Sequence, residues 1–105
     1  MCRKAFSAQA SAYAQVDPEQ FVFVEGKDLL TSYESENGAG LKFCSKCGST
    51  LCGTYKGETH GVALGCVDGD PEIDIGMHIF VGSKARWETI PNGTPQYEEW
   101  PPKSA

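Results

Sequence analysis

Turn-forming residues recur so often in this chain that no stretch between them has room for a long helix. The chain has twelve glycines and six prolines, and turn signals stand at Asp17-Pro18, Glu25-Gly26, Glu36 to Gly40, Lys56 to Gly61 and Asp68 to Pro71. Proline withholds a backbone donor and glycine costs helix stability, so such residues favour short strands joined by turns. Signals every 8–12 residues or so predict an all-β architecture. Strands are expected over 11–16, Phe21–Val24, Leu29–Ser35, Thr50–Tyr55, Val62–Cys66 and His78–Val81, with Leu41–Phe43 leading from a loop at 36–40 into the cysteine turn. Residues 3–10 read as a short helix, and Asp17 as the cap of a turn that starts at Pro18. After Trp87 the chain is rich in proline, so its order is expected to come from docking Trp87, Tyr97 and Trp100 over the open end of a β core.

At 105 residues and 11.3 kDa the sequence has room for one domain, 1–105, with a thin stability margin that a metal staple would widen. No apolar run approaches the ~18 residues of a membrane span, and no basic-then-apolar leader is present. The expected location is therefore the cytoplasm, away from membranes. The net charge is −5 and the nine Lys and Arg are scattered. Phosphate backbones are held by concentrated positive charge, so nucleic acid is not an expected partner.

Five cysteines are many for such a chain, and in a reducing compartment close pairs serve as metal ligands or redox thiols more often than as structural disulfides. Phe43-Cys44-Ser45-Lys46-Cys47-Gly48-Ser49 has the form of a zinc knuckle. Two intervening residues let both sulfurs face one point, Gly48 can take positive φ, and Lys46 adds positive charge. A thioredoxin-like pair is the other chemical reading, but no βαβ pattern surrounds it; two idle thiols are the bland one. A structural zinc takes four ligands, and no second C-x-x-C follows. Cys52 and Cys66 lie among apolar or small neighbours and read as core filling. Cys2 precedes Arg3-Lys4, which favour a thiolate; on residues alone it is a terminal thiol. His60 and His78 read as surface histidines. Asp68, Asp70, Glu72 and Asp74 lack the EF-hand order and read as a solvated loop.

The order of these features resembles the glutathione-dependent formaldehyde-activating enzyme family, which includes the centromere protein V group. The resemblance rests on Cys2-Arg3-Lys4-Ala5, FCSKCGSTL at 43–51, VALGCVD at 62–68, HIFVGSKARW at 78–87 and the closing PQYEEWP. It implies an Mss4-like fold: small packed antiparallel sheets with little helix. It also implies a carbon–sulfur lyase that joins formaldehyde to glutathione as S-hydroxymethylglutathione, with zinc as cofactor and a small thiol adduct as partner. Cys44 and Cys47 match the later pair of the family's structural zinc site. Cys2 matches the last cysteine of its catalytic zinc motif. The family's first strand and earlier cysteine motifs have no counterpart in this sequence, so impaired catalysis is one expectation and a non-catalytic module kept for packing or partner binding is the alternative.

These readings give further expectations. Phe21, Phe23, Leu30, Phe43, Leu51, Val62, Leu64, Ile79, Val81 and Trp87 should supply much of the core. The chain should hold at most one zinc, through Cys44 and Cys47. Strand edges at Phe21–Val24 and Thr50–Tyr55 should be open, giving a homodimer that brings two knuckles to one shared zinc.

Overall fold

The computed structural model describes residues 8 and 10–102, which fall into two compact units, one ending at Asp70 and the other starting at Pro71. The helix expected at 3–10 and the terminal Cys2 lie outside the described residues, apart from Ala8 and Ala10.

The first unit is a five-stranded antiparallel sheet. Its strands are β1 (Tyr13–Gln15), β2 (Leu30–Glu34), β3 (Ala39–Cys44), β4 (Thr50–Tyr55) and β5 (Glu58–Ala63), in the spatial order β1-β5-β4-β3-β2. The expected mainly-β architecture with little helix holds. β4 runs over the expected residues. β5 starts earlier than expected because the connection before it is two residues, not six. Lys56 and Gly57 both take positive φ, 50° and 83°, the conformation of a tight hairpin turn whose twist matches its strands. Leu64–Cys66, expected as strand, is a single 3-10 turn. β3 takes in Ala39 and Gly40, expected in a loop, and Leu41–Phe43, expected only to lead into the cysteine turn. Gly40 is buried in it, and a Cβ there would strike the Tyr33 carbonyl and lie 2.7 Å from Thr54 Oγ1. Glycine at 40 therefore lets β2, β3 and β4 close up, and does not mark a loop.

Two bulges re-aim the side chains. Lys42 pairs with Cys52 while Phe43 pairs with Thr50, so Leu51 is the extra residue of β4. Gly53 pairs with Gly61 while Thr54 pairs with Thr59, which makes His60 the extra residue of β5. Each bulge changes which residues share a face. Ser32, Lys42, Cys52, Val62 and Ala14 lie in line across one face. On the other, the paired glycines 53 and 61 leave room for the Tyr13 ring, whose Cδ1 would lie 3.5 Å from a Cβ at 61.

Asp17 accepts the Glu19 N–H at 3.0 Å and caps the 3-10 turn Pro18–Gln20, as the sequence predicts. Phe21–Val24 is not a strand. Phe21 and Phe23 meet edge to face at 4.9 Å, Lys42 Nζ stands 5.0 Å from the Phe23 ring, and Val22 and Val24 point to solvent. The segment alternates like a strand but has no ladder, so aromatic and cation–π contacts fix it instead. Neither expected edge is an open edge of the sheet: β4 is its central strand and Phe21–Val24 is outside it.

The core is smaller than expected. Among the described residues of this unit only Cys52, Ala63, Thr59 and Gly40 are buried; Phe21, Phe23, Leu30, Phe43, Leu51, Val62 and Leu64 are half-buried. Cys52 fills core as expected. Cys66 does not: it closes the 3-10 turn after β5 and is exposed.

The second unit is a strap of irregular chain. His78–Val81, expected as a strand, makes only a bridge between His78 and Gln96. Phe80 takes φ 56° and opens a 3-10 turn over Val81–Ser83, which ends any strand. The tail is tied by backbone bonds: the His78 amide to the Pro95 carbonyl, the Tyr97 amide to the His78 carbonyl and the Val81 amide to the Tyr97 carbonyl. Phe80 and Trp100 pack edge to face at 4.9 Å. Ala85 is this unit's buried apolar residue, while Ile79 and Trp87, both expected in the core, are exposed and Val81 is half-buried.

Candidate functional site

The knuckle grows out of the β3–β4 hairpin. Cys44 ends β3 opposite Leu30 of β2, and its amide donates to the Ser49 carbonyl at 2.9 Å. The Ser45 amide donates to the Leu29 carbonyl at 2.8 Å and extends the β2–β3 ladder by one step. The chain then reverses. The Gly48 amide donates to the Cys44 carbonyl at 2.8 Å, and Gly48 sits at φ 80° with open space around it. That conformation is one an L side chain rarely adopts, so the glycine after Cys47 is a backbone requirement of the turn.

The backbone and one hydroxyl converge on sulfur. The Lys46 amide donates to Cys44 Sγ at 3.4 Å, and Cys47 Sγ lies 3.2 Å from Ser49 Oγ. The Cys47 thiol is held below its ordinary value, first by the Ser49 side chain, then by the Ser49 backbone, then by Cys44. Hydrogen bonds to a charged sulfur favour the thiolate, the form that ligates metal or attacks an electrophile. Cys44 is half-buried and Cys47 exposed. The structure thus brings the two predicted cysteines together in one turn. Ser49 was visible in the motif, but its action on Cys47 was not foreseen.

The remaining cysteines are elsewhere. Cys52 is 2% exposed in mid-sheet. Burial pushes its thiol up and outweighs the lowering by Lys42 and by its hydrogen bond with Thr59. Cys66 donates its thiol proton to the Thr50 carbonyl at 3.2 Å. Burial likewise raises the Tyr13 phenol. His60 is exposed, with its ring 6.3 Å from Tyr55, and His78 is half-buried in the bridge to Gln96. The acidic residues at 68, 70, 72 and 74 are exposed. A cleft of about 280 Å3 lies between Phe21, Phe23, Lys27, Glu58 and Thr59, away from the knuckle.

Among the described residues no three Cys, His, Asp or Glu side chains are placed to hold a metal ion. Two thiolates satisfy half of a tetrahedral zinc site, so the described donors alone do not fit a closed one. Cys2 is not among them.

The model of one protein family, described as glutathione-dependent formaldehyde-activating enzyme, matches residues 1–83. No curated protein and no solved structure matches the chain. The family match takes in both cysteines of the knuckle, every strand of the sheet and the first turn of the strap. This chain belongs to the glutathione-dependent formaldehyde-activating enzyme family.

Proposed function

We propose that the chain acts on adducts of small thiols with aldehydes, the addition of glutathione to formaldehyde being the prototype. In that reaction the thiol sulfur bonds to the carbonyl carbon, the C=O π bond opens to C–O–H, and the thiol proton ends on oxygen, with no oxidant or reductant consumed. The family match over residues 1–83 is the observation that carries this reading. The knuckle supports it: the Lys46 amide donates to Cys44 Sγ, and the surroundings of Cys47, Ser49 first among them, favour its thiolate. In this reading Cys44 and Cys47 are half of a zinc site whose other donors lie outside the described residues. Cys2 is the candidate for the thiolate nearest the chemistry. No catalytic step is assigned to the metal, because the described donor set is incomplete.

The second reading is a non-catalytic module of the same family. The observation favouring it is that only two thiolates converge among the described residues. One experiment separates them. The chain is purified with its metal content measured, and 13C-formaldehyde and glutathione are mixed with it and followed by NMR. Adduct formation above the spontaneous rate, lost in Cys2→Ser, supports the enzymatic reading. A rate equal to the spontaneous one, with the fold intact by circular dichroism, assigns the module.

A further inference from the structure

Strand β2 leaves one side of its backbone without a partner among the described residues, and that side is self-complementary. The Leu29 carbonyl accepts from Ser45 and the Ser35 amide donates to Ala39, so odd-numbered residues of this strand turn their backbone groups toward β3. Successive residues of a strand alternate. The backbone groups of Leu30, Ser32 and Glu34 therefore face away from β3, except that the Leu30 amide already donates to Lys27. β2 carries no proline, its one charge sits at its end, and its pairing with β3 has no bulge. Those are the devices that ordinarily block an edge.

We infer that β2 pairs antiparallel with β2 of a second copy of this chain, about a two-fold axis through Ser32. Each Ser32 then exchanges both backbone bonds with its mate, and each Glu34 amide donates to the mate's Leu30 carbonyl. Thr31 stands opposite Tyr33 of the other copy, a β-branched residue against an aromatic ring, a pair that stabilises sheets. Tyr33 is 55% exposed in the single chain and gains this cover. Leu30 faces Glu34, so no like charges are opposed.

This geometry also fixes where the knuckles go. Cys44 is the β3 partner of Leu30, and the two Leu30 residues lie four positions apart along the new ladder. With strands about 4.8 Å apart and about 3.4 Å of rise per residue, the two knuckles stand roughly 20 Å apart. The dimer cannot share one zinc between them, and a chelator leaves it intact.

Sedimentation equilibrium over micromolar concentrations, combined with register-specific cross-linking, tests the pairing. The full chain is expected to dimerise. Ser32→Glu, which stands opposite Lys42 within one chain and sets two like charges against each other only in the dimer, is expected to return it to a monomer with an unchanged circular dichroism spectrum. Ser32→Cys is expected to cross-link to itself under mild oxidation, since partners in a hydrogen-bonded pair have Cα atoms about 5.5 Å apart, within disulfide reach. Mixing Thr31→Cys with Tyr33→Cys should join the two variants to each other. Peptide mapping distinguishes these bonds from any made by Cys47 or Cys66. A mass near 11.3 kDa throughout overturns the inference. So does a dimer that tolerates Ser32→Glu and does not join the introduced cysteines.

Discussion

Two stretches within a few residues of each other on β4 and its hairpin treat the same side chain in opposite ways. At the knuckle the chain turns back on itself, the Lys46 amide donates to Cys44 Sγ, and Cys47, whose sulfur lies within hydrogen-bond distance of Ser49 Oγ, is held below its ordinary value. In mid-strand Cys52 is sealed between Lys42 and Val62 on its neighbouring strands, and burial dominates. The first environment lowers the cost of a negative sulfur and the second raises it. A thiol's chemistry is set by where the backbone places it, and one bulge at Leu51 separates the poised Cys47 thiol from a core-filling residue.

The largest contrast is kinetic. In the native, metal-free chain Cys47 should be alkylated by iodoacetamide roughly a hundredfold or more faster than Cys52, the factor that a local opening cost of about 3 kcal/mol imposes. Mass-spectrometric time courses check it, and comparable rates would break the distinction. Next comes stability. Cys52→Ala should cost about 1–3 kcal/mol in urea unfolding through the cavity it leaves, whereas Cys66→Ala, at an exposed position, should stay within about 0.5 kcal/mol.

The pH dependence is smaller and its sign follows from direction. The Cys52 thiol is raised above its ordinary 9.0 and the Tyr13 phenol above 10.0. Above pH 9 the unfolded chain loses these protons before the folded one does. Their contribution is full below pH 9 and declines as pH rises further. Urea midpoints between pH 7 and 10.5 should fall at the alkaline end, and Cys52→Ala should remove the first part of that fall. The smallest effect belongs to Ser49→Ala. It should move the Cys47 alkylation profile to higher pH while leaving the urea midpoint nearly unchanged; an unmoved profile would mean the hydroxyl does not govern that sulfur.

How much of this was readable beforehand varies with the kind of signal. The knuckle was legible because its residues are contiguous and Gly48 has a single steric reason to be there. The Asp17 cap and β4 were legible for the same reason. Gly40 and Gly61 were misread as loop because glycine carries two meanings, a loop and a place where neighbours must approach. Only the three-dimensional neighbours, Tyr33 and Thr54 at Gly40 and Tyr13 at Gly61, decide between them. Phe21–Val24 and His78–Val81 have the composition of strands yet lack a ladder, since alternation specifies faces and not a partner. The exposure of Cys66 follows from a 3-10 turn at Leu64 that no residue type announces.

The central proposal is that Cys44 and Cys47, and not Cys52 or Cys66, supply thiolates to a soft metal. Cobalt(II) titration of the full chain, read by the thiolate-to-cobalt charge-transfer absorption, tests it most directly. The account predicts a charge-transfer band that disappears in the Cys44→Ser/Cys47→Ser double variant and survives in Cys66→Ser and Cys52→Ala. A band that persists in the double variant, or a wild-type chain that shows none, would contradict it.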